Sequence, residues 1–453
     1  MTVKKLIPQF ISVVVAAVVL VCIHLIPLGV ADGGGQYKLV ESLGLGYAGA
    51  PSGDYFANWY FAYGDTEVRD THSAVVHMVR TVQNGFATAS LLWVYGALLL
   101  AGLWAAVRSA MRGDVFDWVA AALCALVFAD IGYTAYLNTL YPDSAALVTF
   151  VLAAGLLFGC HRSTPPKPFA VLLCAAASLL FAFCGQLQGW LGVILGVLIA
   201  RLWTVCGKSP RRYVCAVLGA AVSVTSLAFA LTYKPVDYEK NIYNAVFFGV
   251  AQNDGVESLG LDPGLNELTG TFFSDSVADA YALKTSFFDK ISYRKIIGYY
   301  LTHPGKYFRQ FNTAVRNAYT LRPGYLGNYA NGSGKPGQQT GFFALYSTLK
   351  SKFVPNTMVF TILLFLIYLG VLLYIYINER EKRPLVEALI GIVVCAGASL
   401  KIPVALTGGF EIGRALFTFN MLFDSMLILA VVAGGRYAVA RRAALRERFG
   451  TTQ

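Results

Sequence analysis

The basic residues of this chain gather at one set of boundaries between apolar segments and are scarce at the alternate set. Lys4 and Lys5, Arg108 and Arg112, Arg162 and Lys167, then Lys208, Arg211 and Arg212 flank successive apolar stretches. Arg380, Lys382 and Arg383 follow, and the tail carries Arg436, Arg441, Arg442, Arg446 and Arg448. Acid-rich connections and one long polar stretch, 233–355, fall between them. Short loops on the cytoplasmic side of a membrane carry an excess of Lys and Arg. The pattern therefore implies an all-α polytopic membrane protein with both termini cytoplasmic and the long insert outside.

Composition supports that reading. Of the residues, 56% are hydrophobic and 13% charged, against roughly 25% charged in a soluble domain. A membrane-spanning helix needs about 20 mostly apolar residues. About ten candidates fall near 8–30, 84–107, 117–133, 144–160, 169–184, 188–206, 213–232, 357–377, 385–402 and 415–434. The fifth and sixth are split only by Gly185–Gly189, and a re-entrant hairpin is the alternative there. The first reads as an uncleaved span, because its apolar stretch is long for a signal peptide and no small-x-small site precedes Asp32. The net charge of +11 comes from the loops at segment ends and is not a nucleic-acid signal. The 8 cysteines lie in or beside apolar segments, without CxxC or metal-ligand spacing, so they read as small buried hydrophobes.

The chain divides into an N-terminal membrane module (1–232), an extracytoplasmic insert (233–355) and a C-terminal membrane module with a basic tail (356–453). Two external regions are long enough to fold, 31–83 and the insert. The insert is rich in aromatics and shows amphipathic helical patterns at 277–301 and 304–320, which suggests a small packed domain on the membrane. No internal repeat supports an inverted-repeat transporter.

Polar groups at the outer membrane level are the candidates for chemistry. Asp130 ends the third span, followed by Tyr133, Tyr136, Asn138, Tyr141 and Asp143. An ionisable group at that depth either caps the next helix or faces a polar cavity. Glu411 and Arg414 stand three apart before the last span, as an ion pair or with Arg414 free to grip a phosphate at headgroup level, aided by Lys401. The first external loop holds Asp32, Asp54, Asp65 and Asp70, carboxylates suited to general-base work on a hydroxyl. His72 and His77 have no third partner at metal-ligand spacing, and nothing in the sequence requires a divalent metal.

Four segments resemble a known superfamily. They are Tyr133–Tyr141, with its Tyr-x-x-Tyr-x-Asn pattern; Tyr243–Val250 leading to Ser258–Pro263; His303–Tyr307; and Arg414–Asp424. In that order, and with this topology, they resemble the polytopic GT-C glycosyltransferases, of the bacterial glycan-biosynthesis hexosyltransferase type. The resemblance implies a polyprenyl-phosphate sugar donor, transfer of the sugar to a cell-envelope glycan or lipid acceptor at the outer face, and inversion at the anomeric carbon. It implies Arg414, with Lys401 or Arg80, as donor-phosphate ligands, and Asp32, Asp54 or Asp65 as the base. Asp130 and Asn138 would hold sugar hydroxyls, joined by Glu411, while Tyr133, Tyr136 or Trp59 would stack on a sugar ring. Expected partners are membrane lipids, the lipid-linked sugar and the acceptor, with no other cofactor.

One departure stands out. Where the family carries an acid after the first span, the register here gives Asp32-Gly33-Gly34-Gly35, with Gly35 in the acid's place. Either Asp32 substitutes, or Asp54 or Asp65 reaches in, or the chain is not catalytic. Two further classes stay open. A lipid-linked glycan polymerase or ligase would rely on Arg294, Arg309 or His303. A transporter or glycan-binding protein would carry charges deep within its spans, where the sequence reading finds only Arg201 and Glu387, both near the inner face.

Overall fold

In a computed structural model, the structure describes residues 6–29, 36–47, 59–82, 85–163, 165–330, 333–335, 337–409 and 412–450. Eight described helices are long and apolar enough to cross a bilayer: Ile7–Leu25, Thr88–Ala110, Asp143–Arg162, Gln186–Thr204, Arg211–Thr232, Met358–Asn378, Arg380–Ile402 and Phe417–Arg442. Val115–Phe128 and Ile131–Asn138, bent by 47°, make a ninth if the pair is one span. The bend falls at Asp130, whose carboxylate accepts from Gly132 N at 2.7 Å and so caps a new helix. The expected count of ten is thus eight or nine. The remaining segment, Pro168–Ala182, has 15 residues, about 22 Å of helix against a hydrocarbon core of roughly 30 Å.

Small residues let these helices approach closely. A Cβ on Gly155 would lie 2.6 Å from Ala106 N, and one on Gly219 would run into the Ala200 backbone. Such contacts are the usual means of packing helices where lipid removes the hydrophobic drive between them.

The basic residues share one end of the bundle. Arg436 of the last span donates to Asp114 and Asp117 at 2.6–2.8 Å and to the Ala110 carbonyl at 2.6 Å. Arg162 reaches the Ser109 carbonyl at 3.0 Å, and Arg201 pairs with Glu387 at 2.6 Å. The insert sits at the other end. Its own core is formed by Tyr243, Phe247 and Phe287, all fully buried, with Tyr299 and Tyr300 at 5% exposure. Each such side chain contributes about 1.5–3 kcal/mol by leaving water. The 304–320 pattern folds as the helix Pro304–Asn317. The 277–301 pattern does not form one helix. It breaks into Asp275–Ala280, Lys284–Phe288 and Tyr293–Thr302, with Ala282 at φ 43° between the first two.

Two small sheets escape the helical reading. Leu45–Tyr47, Trp59–Ala62 and Gly85–Ala87 pair antiparallel in the first loop. Leu28–Gly29, just past the first span, pairs with Asn328–Tyr329 of the insert and ties the two regions together.

A second core, Phe311, Val315 and Tyr319 against Leu400, Val404, Phe419 and Phe423, seats the insert on the last two spans. Beside it, Gly408 ends its helix at φ +61°, where a Cβ would strike the Asn244 carbonyl and stand 2.7 Å from Gly249 N. Gly408→Ala is therefore expected to cost about 1–3 kcal/mol, from a strained φ and backbone overlap. Thermal unfolding in detergent checks this; an unchanged midpoint would mean that the insert does not seat on Gly408.

Candidate ligand cavity at the insert end

Helix starts from the bundle and the underside of the insert enclose a polar cavity of about 250 Å³. Asp143, Gln186, Gln188 and Thr418 form its bundle wall, and Tyr233, Asn241, Asn244 and Tyr293 its insert wall. Arg414, in the short helix Ile412–Ala415, lies between them. Its guanidinium stacks over the Tyr141 ring at 4.6 Å and stands 3.7 Å from Asp143 Oδ2. That is ion-pair distance but not a hydrogen bond. Burial opposes the charge on Arg414, but Asp143, then Tyr141 and Tyr325, outweigh it and hold the guanidinium firmly protonated. About a quarter of its side-chain surface, 27%, stays open, so a ligand can meet it.

Two acceptors in this region lack a hydrogen bond among the described residues. Asn244 Oδ1 and Asp143 Oδ2, both in the cavity wall, are buried with no hydrogen bond among the described residues. Buried polar atoms are satisfied in the great majority of cases, and exceptions need a reason. Two acceptors without hydrogen bonds, one of them at ion-pair distance from an arginine about a quarter open, suit a ligand with an anionic group and donating hydroxyls. Asp70 reaches the same wall: the Tyr233 hydroxyl donates to its Oδ2 at 2.9 Å. Burial, then Asp70, raises the Tyr233 phenol well above its ordinary range, so it acts as a donor there.

The sequence-derived candidates scatter. Of them, Arg414 and Asp143 line the cavity. Asp32, Asp54 and Glu411 lie outside the described residues, as does the Trp59 side chain. Asp65 is exposed after its strand and is not in the cavity wall. Arg80 donates to the carbonyls of Leu43 and Gly64 and to Thr66, bracing the first loop, so its guanidinium is engaged rather than open to a phosphate. Lys401 is exposed, and its carbonyl accepts from Tyr307. Asn138 lines a separate cavity of about 120 Å³ near His24 and Thr88, with its own Oδ1 unpartnered.

Asp130, Tyr133 and Tyr136 belong to a buried cluster instead. Asp130 accepts from Gly132 N and Ser347 N. Tyr133 donates to Asp424 Oδ2 at 2.6 Å, and the Tyr136 ring lies 4.4 Å from Phe417. All three are fully buried, which leaves no ring face for a sugar. At the centre, Lys350 of the Leu345–Phe353 helix donates to Asp424 at 2.5 Å and Asn420 at 2.7 Å. Burial holds the Lys350 ammonium below its ordinary range, with Asp424 opposing the shift in part. The sequence reading missed this pair. The signal was present: Asp424 is an acid well inside an apolar span, where an unpaired charge is costly.

A family described as the YfdI N-terminal transmembrane domain matches residues 1–448. No curated protein and no solved structure gives a significant match.

Proposed function

This chain belongs to the YfdI N-terminal transmembrane domain family, and we propose that it works within a membrane as a glycosyltransferase of the GT-C type. It moves a sugar from a polyprenyl-phosphate donor to a cell-envelope glycan or lipid acceptor at the extracytoplasmic face. The observation that carries this reading is Arg414, charged and partly open in a polar cavity at the ends of the spans. An Arg fork matches phosphate oxygens better than any other side chain.

In this mechanism the donor's lipid lies among the spans and its phosphate meets Arg414. Asn244 Oδ1 and Asp143 Oδ2 accept from sugar hydroxyls. The acceptor oxygen forms a bond to the anomeric carbon while the carbon–oxygen bond to phosphate breaks. Polyprenyl phosphate leaves with the electron pair, and the acceptor's proton passes to a carboxylate. Displacement from the opposite face inverts the centre. Among described first-loop acids Asp70 touches the cavity wall through Tyr233, so it joins Asp32, Asp54 and Asp65 as a candidate base.

Transfer from a labelled polyprenyl-phosphate sugar tests the base. Asparagine at the correct one of Asp32, Asp54, Asp65 and Asp70 is expected to lower transfer by about 10²–10⁴-fold. Full activity in all four single variants and in the combined variant would rule out a first-loop carboxylate as base.

A further inference from the structure

The basic end carries a second site, unrelated to the transfer reading. Three furrows converge there on one group of arginines. A cavity of about 130 Å³, walled by Phe128, Leu389 and Ile428, opens at Arg112, Arg162 and Arg436. A groove of about 430 Å³ runs along Met358–Asn378 and opens at Arg112, Arg436 and Lys382. A third, of about 540 Å³, opens at Arg108 and Arg162.

Among the described residues, basic side chains outnumber acids in this cluster. Asp114 and Asp117 are the acids among these arginines. Both are engaged by Arg436, and Asp117 also accepts from the backbone of Arg112 and Gly113. Lys382 pairs with Glu379. Arg162 makes one described bond, to the Ser109 carbonyl. The Arg112 guanidinium is exposed and has no described side-chain partner, and Arg108, Arg112 and Arg436 all bear on Arg162 electrostatically. Among the described residues, like charges stand together here with Asp117 as the one acid that bears on Arg162.

We propose that this end binds an anionic diacyl phospholipid from the adjoining leaflet. Its phosphate sits on Arg112 and Arg162. One acyl chain fills the cavity beside Leu389 and the other the groove along Met358–Asn378, because both openings share Arg112. Basic pockets between spanning helices are a known way to hold anionic headgroups. The two apolar openings on one cation favour a two-chain lipid over a single prenyl chain.

Native mass spectrometry of the full chain in detergent tests this. Phosphatidylglycerol is titrated against phosphatidylcholine with the same acyl chains, and farnesyl phosphate serves as the single-chain probe. Phosphatidylglycerol is expected to be retained in preference to both others. Arg112→Gln is expected to weaken its binding about fivefold, the effect of one basic side chain at an anionic surface. R112Q breaks no described internal contact, so it should fold; R112Q/R162Q should weaken binding by roughly thirtyfold. Arg414→Ala, at the far end, should leave lipid retention unchanged, which separates this site from the transfer cavity. Equal retention of phosphatidylglycerol and phosphatidylcholine, preference for farnesyl phosphate, or wild-type binding by both arginine variants would overturn the proposal.

Discussion

Lys350→Met is expected to lower the stability of the protein by about 3–5 kcal/mol, the usual cost of removing one partner from a buried ion pair. Lys350 and Asp424 have side chains 1% and 0% exposed. Neither has water to fall back on. Removing the ammonium leaves Asp424 to neutral donors such as the Tyr133 hydroxyl at 2.6 Å. Asn420 loses its partner on Oδ1 as well. The pair pins the Leu345–Phe353 helix to the last span, beside Phe423, whose ring lies 5.3 Å from the Lys350 ammonium. The double variant K350M/D424L removes both charges, so it should recover much of the loss, since paired apolar replacements of a buried ion pair are often neutral. Thermal unfolding in a single detergent gives both values. A K350M midpoint equal to wild type would mean that the pair is not a clamp.

Much of the fold could be read from the chain, because lipid imposes length and charge rules that sequence records directly. The eight long helices follow apolar stretches near those expected, and the basic loops share one end through contacts such as Arg436 with Asp114. What escaped was short or non-local. The three-stranded sheet rests on strands of three, four and three residues, too short for a period to register. Lys350 and Asp424 are 74 residues apart, and nothing local announces that they meet. Of the candidate site, Arg414 was legible because an arginine in a short connection at the insert end defies the charge rule that the other short loops obey. Asn244 and Tyr233 were not, because their roles depend on how the insert closes over the bundle. Aromatic position misled at Tyr133 and Tyr136: tyrosines near a headgroup suggest sugar stacking, yet here they fill the seam between the bent span and Phe417.

Arg414→Ala is expected to reduce sugar transfer by about 10²–10³-fold, the typical cost of deleting one preorganised donor that meets developing negative charge. The leaving phosphate gains charge as its bond to the sugar breaks, so the loss should fall mainly on kcat, with a smaller rise in KM for the donor. Arg414→Lys keeps the charge but not the fork, and should fall between the two, roughly tenfold below wild type. Truncation also strands Asp143, whose Oδ2 lies 3.7 Å from the guanidinium and has no hydrogen bond. A stability loss could therefore imitate a catalytic one. D143N/R414M separates them. Without either charge the midpoint should return towards wild type while transfer stays low. Should D143N/R414M regain transfer together with stability, Arg414 would be a structural partner of Asp143, and the phosphate would have to be held elsewhere.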